Sequence, residues 1–105
     1  MLKVTKNNRN ALPDAQLLQG RYEWLRGKPG AAEKWWGKAM DESRRIKDPY
    51  MEGMVHLEFG RRTGDREHLQ QAESILQELG AEFDIVSARD ALAKTGEKHA
   101  YQVED

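Results

Sequence analysis

Large apolar residues return at three- and four-residue steps from Asp14 onward: Leu17, Leu18, Tyr22 and Leu25, with Trp24 widening the stripe. This is the helical period, and it predicts a first helix ending at Gly27-Lys28-Pro29-Gly30, where proline and glycine favour a turn. A second helix follows over about 31–47, with Ala32, Trp35, Trp36, Ala39, Met40, Ser43 and Ile46 on its inner face. Arg44, Arg45 and Lys47 suit the negative end of its dipole. Asp48-Pro49 reads as an acidic N-cap followed by proline at the first helical position. It opens a third helix, Pro49 to Thr63, carrying Tyr50, Met54, Leu57 and Phe59. Gly53 and Gly60 inside it each cost about 1 kcal/mol against alanine, so they need a packing reason such as close approach of another helix.

Gly64-Asp65 reads as a two-residue turn with Asp65 as the next N-cap. The fourth helix, Arg66 to Leu79, shows Leu69, Ala72, Ile75, Leu76 and Leu79 before stopping at Gly80. A fifth, over about 82–94, carries Phe83, Val86, Ala88, Ala91 and Leu92 and ends near Gly96. No segment of four or more residues alternates as a half-buried strand. The predicted fold is all-α, about five helices in antiparallel hairpins joined by short loops. Residues 1–13 read as a flexible arm, 14–47 and 49–79 as hairpins, 82–94 as a capping helix and 96–105 as a frayed tail.

Sliding the chain on itself by 40 positions places Gly20-Arg21 on Gly60-Arg61 and Ala32-Glu33 on Ala72-Glu73. Leu17 falls on Leu57, Trp35 on Ile75, Trp36 on Leu76 and Ala39 on Leu79. Each unit is helix, turn, helix, and a period of this size marks a helical solenoid. In this pattern the chain resembles the tetratricopeptide repeat family. Gly20, Ala32, Trp36 and Ala39 match four motif positions, and Gly60, Ala72 and Leu76 match three. The departures are the longer period and Glu23 or Thr63 where that family carries an aromatic. The resemblance implies hairpins stacked as a short right-handed solenoid.

The longer phrases GRYEWLRGKPGAAEKWWGKAMDESRRIKDPYMEGMVHLEFGRRTGD and AESILQELGAEFD are similar to the C-terminal helical region of large bacterial signalling ATPases. In those proteins an ATPase unit sits beside a nucleotide cyclase or a protein kinase. The resemblance implies a non-catalytic interaction or scaffolding module for a protein or peptide partner, or for other domains of a parent protein. The catalytic domains would then lie outside this chain.

Composition adds boundaries. A chain of 105 residues makes one domain at most. There is no cysteine, which excludes disulfides and thiolate metal sites. No apolar run is long enough for a membrane span and no signal peptide follows Met1, so no membrane partner and a cytoplasmic location are expected. The net charge of −1 hides an asymmetry, since residues 1–47 carry +6 and residues 48–105 carry −7.

The family's groove rule implies partner-facing positions at Leu17, Arg21 and Trp24 in the first hairpin and at Met54, Leu57 and Arg61 in the second. Two fates are open to Arg21 and Arg61. They form a forked clamp for a peptide carboxylate or phosphate, or they are solvated or pair with Glu58 or Glu23. The Asn and Lys set with which some relatives clamp C-terminal carboxylates is missing. Trp36 lies on the core row; Trp35 packs on a neighbouring hairpin or stays partly open as an interface anchor. His56, His68 and His99 lack metal-ligand spacing, and no catalytic, cofactor or metal residues are expected. Nucleic acid is the rival partner, through Arg21, Arg26, Lys28, Lys34, Lys38, Arg44 and Arg45 among Tyr22, Trp24 and Trp35. A pI near 6.3 argues against it. Phe83, Val86 and Leu92 are expected to seal Leu76 and Leu79. The face around Leu17, Leu18, Trp35 and Met40 is left for the arm or for a second copy, making a homodimer possible.

Overall fold

The computed structural model describes the backbone of residues 12–104 and the side chains of residues 12–95. Most of the expected arm, the side chains of the expected tail and His99 lie outside the described residues. Five helices follow one another: α1 (Leu12–Leu25), α2 (Pro29–Arg45), α3 (Pro49–Thr63), α4 (Arg66–Leu79) and α5 (Glu82–Glu104). None is long and apolar enough to cross a membrane, among the described residues.

The helix ends follow local chemistry. Asp48 caps α3 by accepting from the Met51 amide at 3.1 Å, and Asp65 caps α4 by accepting from the amides of Glu67 and His68. Gly64 and Gly80 close α3 and α4 in the left-handed region, with φ of 79° and 71°. Lys47 takes the same conformation at the end of α2 with φ 58°, although it bears a side chain.

Three boundaries differ from expectation. Pro29 opens α2 instead of belonging to the turn before it, because a proline at the first helical position has no amide to leave unpaired. Pro13 is likewise accommodated in the first turn of α1, which begins at Leu12. Helix α5 continues through Gly96 to Glu104. Alanine, glutamate, lysine and glutamine dominate that stretch and favour helix enough to carry one glycine.

Each helix packs on the next. Helix α3 also reaches α1 and α5, and no other helix pair meets among the described residues. The interior is accordingly divided in two. One cluster joins α1, α2 and α3 through Leu17, Ala32, Trp36, Ala39, Met40 and Val55, with Trp24, Met51 and Phe59 packed against it. The other joins α3, α4 and α5 through Leu57, Leu69, Ala72, Leu76, Ile85, Ala88 and Ala91, flanked by Met54, Ala81 and Leu92. Helix α3 is the shared wall, offering Val55 to one side and Leu57 to the other.

The glycines inside the helices make this packing possible. A Cβ on Gly20 would stand 2.4 Å from the Trp36 Nε1, and one on Gly60 would stand 2.6 Å from the Leu69 side chain. Gly53 lies against Leu76 in the same way. Both hairpins thus set a bare backbone against a large residue of the second helix, but not the same residue. Nine positions beyond Gly60 stands Leu69; nine beyond Gly20 stands Pro29, exposed, so the indole of Trp36 fills the space instead.

Helix α5 packs by a different face from the one expected. Ile85, Ala88 and Ala91 are buried, whereas Phe83 is 83% exposed and Val86 64%. Of the expected seal only Leu92 packs inward, and Leu79 stays open. The stripe that packs places Ala81, Ile85, Ala88 and Leu92 on one helical row, in which alanines alternate with large residues and let α5 approach α4. Polar ties hold α5 in place: Tyr50 donates to Asp84 at 2.8 Å, Arg66 to the Leu92 carbonyl at 2.9 Å, and Arg89 to Glu73 at 2.7 Å and to Gln77 at 3.5 Å.

Candidate functional site

Arg21 on α1 and Arg61 on α3, equivalent in the sequence repeat, come together in the structure. They do so through a residue between them. Glu58 is buried, 2% exposed, on the side of α3 that faces α1. Arg21 donates to both of its carboxylate oxygens at 3.2 Å, Arg61 donates to Oε1 at 2.9 Å and Arg62 to Oε2 at 2.9 Å. Arg61 and Arg62 arrive because they stand three and four positions beyond Glu58 on the same helical face. Arg21 arrives from the other hairpin and ties α1 to α3.

Of the two fates open to the arginines, pairing with Glu58 is the one realised; Glu23 is taken by Arg26 and Gln19. Burial pushes the Glu58 carboxyl up, but the hydrogen bonds from Arg21 and Arg62, the Arg21 charge and the Arg61 hydrogen bond bring it below its ordinary value. Three cations on one anion leave a local excess of two positive charges. The arginines keep much of their side chains in solvent, so that excess is displayed on the surface.

The other groove candidates divide. Leu17 and Leu57 are buried in the two cores. Trp24 and Met54 are half-buried; Trp24 has its ring centroid 5.9 Å from that of Trp36. Trp36 is fully buried, its indole N–H donating to the Leu17 carbonyl at 3.2 Å and its ring 5.5 Å from Phe59. Trp35 is partly open and carries the Lys38 ammonium 4.6 Å from its ring centroid. Met40 is buried, so the open face on α1 is not the one expected. It runs through Leu18, Tyr22 and Leu25, which are 50%, 55% and 69% exposed, and Leu18 and Tyr22 with Ala15 and Gln19 line a shallow apolar cavity of about 440 Å³.

His56 and His68, on different helices, meet at the α3–α4 seam with their Nδ1 atoms 2.9 Å apart. Phe59 stacks on the His68 ring at 3.9 Å. His56 Nε2 is buried with no hydrogen-bond partner, and the Glu52 carboxylate stands 3.9 Å away. Burial, the neighbouring His68 and the Arg44 charge hold the His56 imidazole down to about 4, with Glu52 opposing. His56 is therefore neutral at ordinary pH. No group of three or more metal-ligating side chains occurs among the described residues.

Sequence reasoning named Glu58 as one partner open to the arginines but missed its burial and the third arginine, Arg62, whose signal was present in arginines three and four positions beyond Glu58 on one helix. No family model matches the chain, and neither the curated proteins nor the solved structures contain a match.

Proposed function

We propose that the chain is a non-catalytic protein-interaction module of the tetratricopeptide-like helical-repeat kind, and that it takes an acidic segment of a partner protein over Arg21, Arg61 and Arg62. The observation that carries this reading is the convergence of three guanidinium groups, from both hairpins, on the buried Glu58 carboxylate. Glu58 fixes the arginines in place, and their remaining N–H donors present a preorganised fork to a carboxylate. The stacked-hairpin arrangement is supported by the burial of Gly20 and Gly60, Ala32 and Ala72, and Trp36 and Leu76, one of each pair per hairpin. It is also supported by the packing of every helix on its successor. By the resemblance to signalling ATPases, the module serves a larger enzyme whose catalytic domains lie elsewhere.

Nucleic acid is the weaker partner. Arg26, Arg44 and Arg45 are paired with Glu23, Glu52 and Glu42, and Lys38 rests on Trp35. The test is the anisotropy of a labelled Glu-rich peptide with a free C-terminal carboxylate, titrated with the protein at low salt. Saturable binding that weakens roughly tenfold in Arg61→Ala is expected. The reading fails if no binding is seen, if Arg61→Ala binds as well as the parent, or if a random oligonucleotide binds more tightly.

A further inference from the structure

His56 and His68 stand twelve positions apart on different helices, and only the packing of α3 on α4 brings their rings together. Their Nδ1 atoms are 2.9 Å apart and their ring centroids 5.1 Å apart. Phe59 stacks on the His68 ring and limits its movement. Both histidines line a cavity of about 240 Å³ that Arg44, Glu67 and Gln71 complete. His56 is 5% exposed, and its buried Nε2 has no hydrogen-bond partner. A buried polar nitrogen left unpaired costs free energy and calls for a physical reason.

Two imidazole nitrogens held about 2.0–2.1 Å from one tetrahedral ion stand about 3.3–3.4 Å apart, with their ring centroids about 5.2 Å apart. The two rings already have nearly that centroid separation. A pivot of each ring that moves its Nδ1 by about 0.2 Å opens the gap to the ligand distance. Binding at Nδ1 requires both atoms bare, which puts each ring hydrogen on Nε2. A metal-bound histidine characteristically donates that second N–H to a carboxylate. For His56 the carboxylate is at hand: Glu52, one turn earlier on α3, has its Oε2 3.9 Å from Nε2. A shift of about 1 Å by the Glu52 side chain makes the bond, and the orphaned nitrogen becomes its donor. Charge suits a cation as well. Arg44 is paired with Glu52 at 2.7 Å, and Glu67 adds a further negative charge to the cavity wall.

We propose that the seam between His56 and His68 binds one divalent ion of the zinc class through the two Nδ1 atoms, with water in the remaining positions and Glu67 beside them. Two protein ligands make a weaker site than the three or four of catalytic and structural zinc centres, and the ion exchanges with solvent through the cavity. Magnesium and calcium, which take oxygen ligands, do not compete for it. The inference stands apart from the arginine reading above.

The experiment is titration of the full chain with zinc chloride up to about 1 mM, followed through the ring-nitrogen resonances of its three histidines. Those of His56 and His68 should move together to the values of Nδ1-bound imidazole and saturate at one ion per chain, while those of His99 stay in place. Magnesium chloride at the same concentration should move none of them. In calorimetry His68→Ala, checked for helix content by far-UV circular dichroism, should bind zinc roughly tenfold or more weakly, whereas His99→Ala should bind like the parent. The resonances of the parent decide the matter even where the substitution at His68 disturbs the fold. The inference is overturned if zinc leaves both rings unmoved or moves only one of them. It is equally overturned if His68→Ala binds as tightly as the parent, or if His99→Ala abolishes binding.

Discussion

In the first hairpin one indole does the work that branched aliphatic side chains share in the second. Trp36 lies on Gly20, faces Trp24 and Phe59 and bonds the Leu17 carbonyl. In the second, Leu69 covers Gly60 and Leu76 covers Gly53, while α5 supplies Ile85, Ala88 and Ala91. The same plan, a glycine on the first helix facing bulk on the second, is thus met by one large rigid group or by several small ones. A core centred on one side chain has no substitute for it, whereas a distributed core shares the load. Helix α3 belongs to both, and the buried Glu58 with its three arginines ties α1 to α3.

The comparison is broken most severely at its centre. Trp36→Ala should cost about 3–5 kcal/mol, because the deleted ring leaves a cavity lined by Gly20, which cannot fill it. Leu76→Ala should cost less, nearer 2–3 kcal/mol; equal losses in urea melts would argue that the first core is not centred on one residue.

Acid, by contrast, attacks the second hairpin. His56 is held neutral in the fold down to about 4 but takes a proton near 6.5 when unfolded. Between those values the unfolded chain binds the extra proton, so stability is full above pH 6.5 and falls as the pH drops toward 4. The loss approaches about 2–3 kcal/mol. Glu58, whose folded pKa is depressed, adds a further loss at still lower pH as its carboxylate is protonated. Urea midpoints measured from pH 8 to pH 4 should show this slope, and His56→Leu should remove most of the part between pH 6.5 and 4.

A smaller effect separates crowded glycines from open ones. Gly20→Ala should destabilise by about 1–3 kcal/mol through the clash with Trp36. Gly37, with nothing near its missing Cβ, should gain roughly 0.5–1 kcal/mol on the same change. The smallest expected change is a gain of under about 1 kcal/mol for Lys47→Gly, which removes a left-handed lysine between the hairpins. A melting temperature for each variant checks both signs.

Much of this was legible in the sequence where local chemistry decides. Asp48, Asp65, Gly64 and Gly80 mark the ends of α3 and α4 because a cap satisfies backbone groups within a few residues. The bulk facing Gly20 and Gly60 was harder, since the pattern pairs Trp36 with Leu76 while the fold sets Leu69 over Gly60. Helix α5 was misread because two apolar rows run along it. Phe83 and Val86 keep the helical period as well as Ile85 and Leu92 do, and only the close approach of α4 selects the row with the smaller residues. The arginine site was half legible. The repeat placed Arg21 with Arg61 and Glu58 stood among their possible partners, but nothing local chose it over Glu23 or showed that it would be buried against α1, 37 positions from Arg21.

Native-state hydrogen exchange on Leu76→Ala tests most directly whether two cores share one wall. Separate cores predict that amides of α4 and α5 lose protection strongly while those of α1 and α2 keep most of theirs. A uniform loss across all five helices would mean a single indivisible core and would contradict the division at α3.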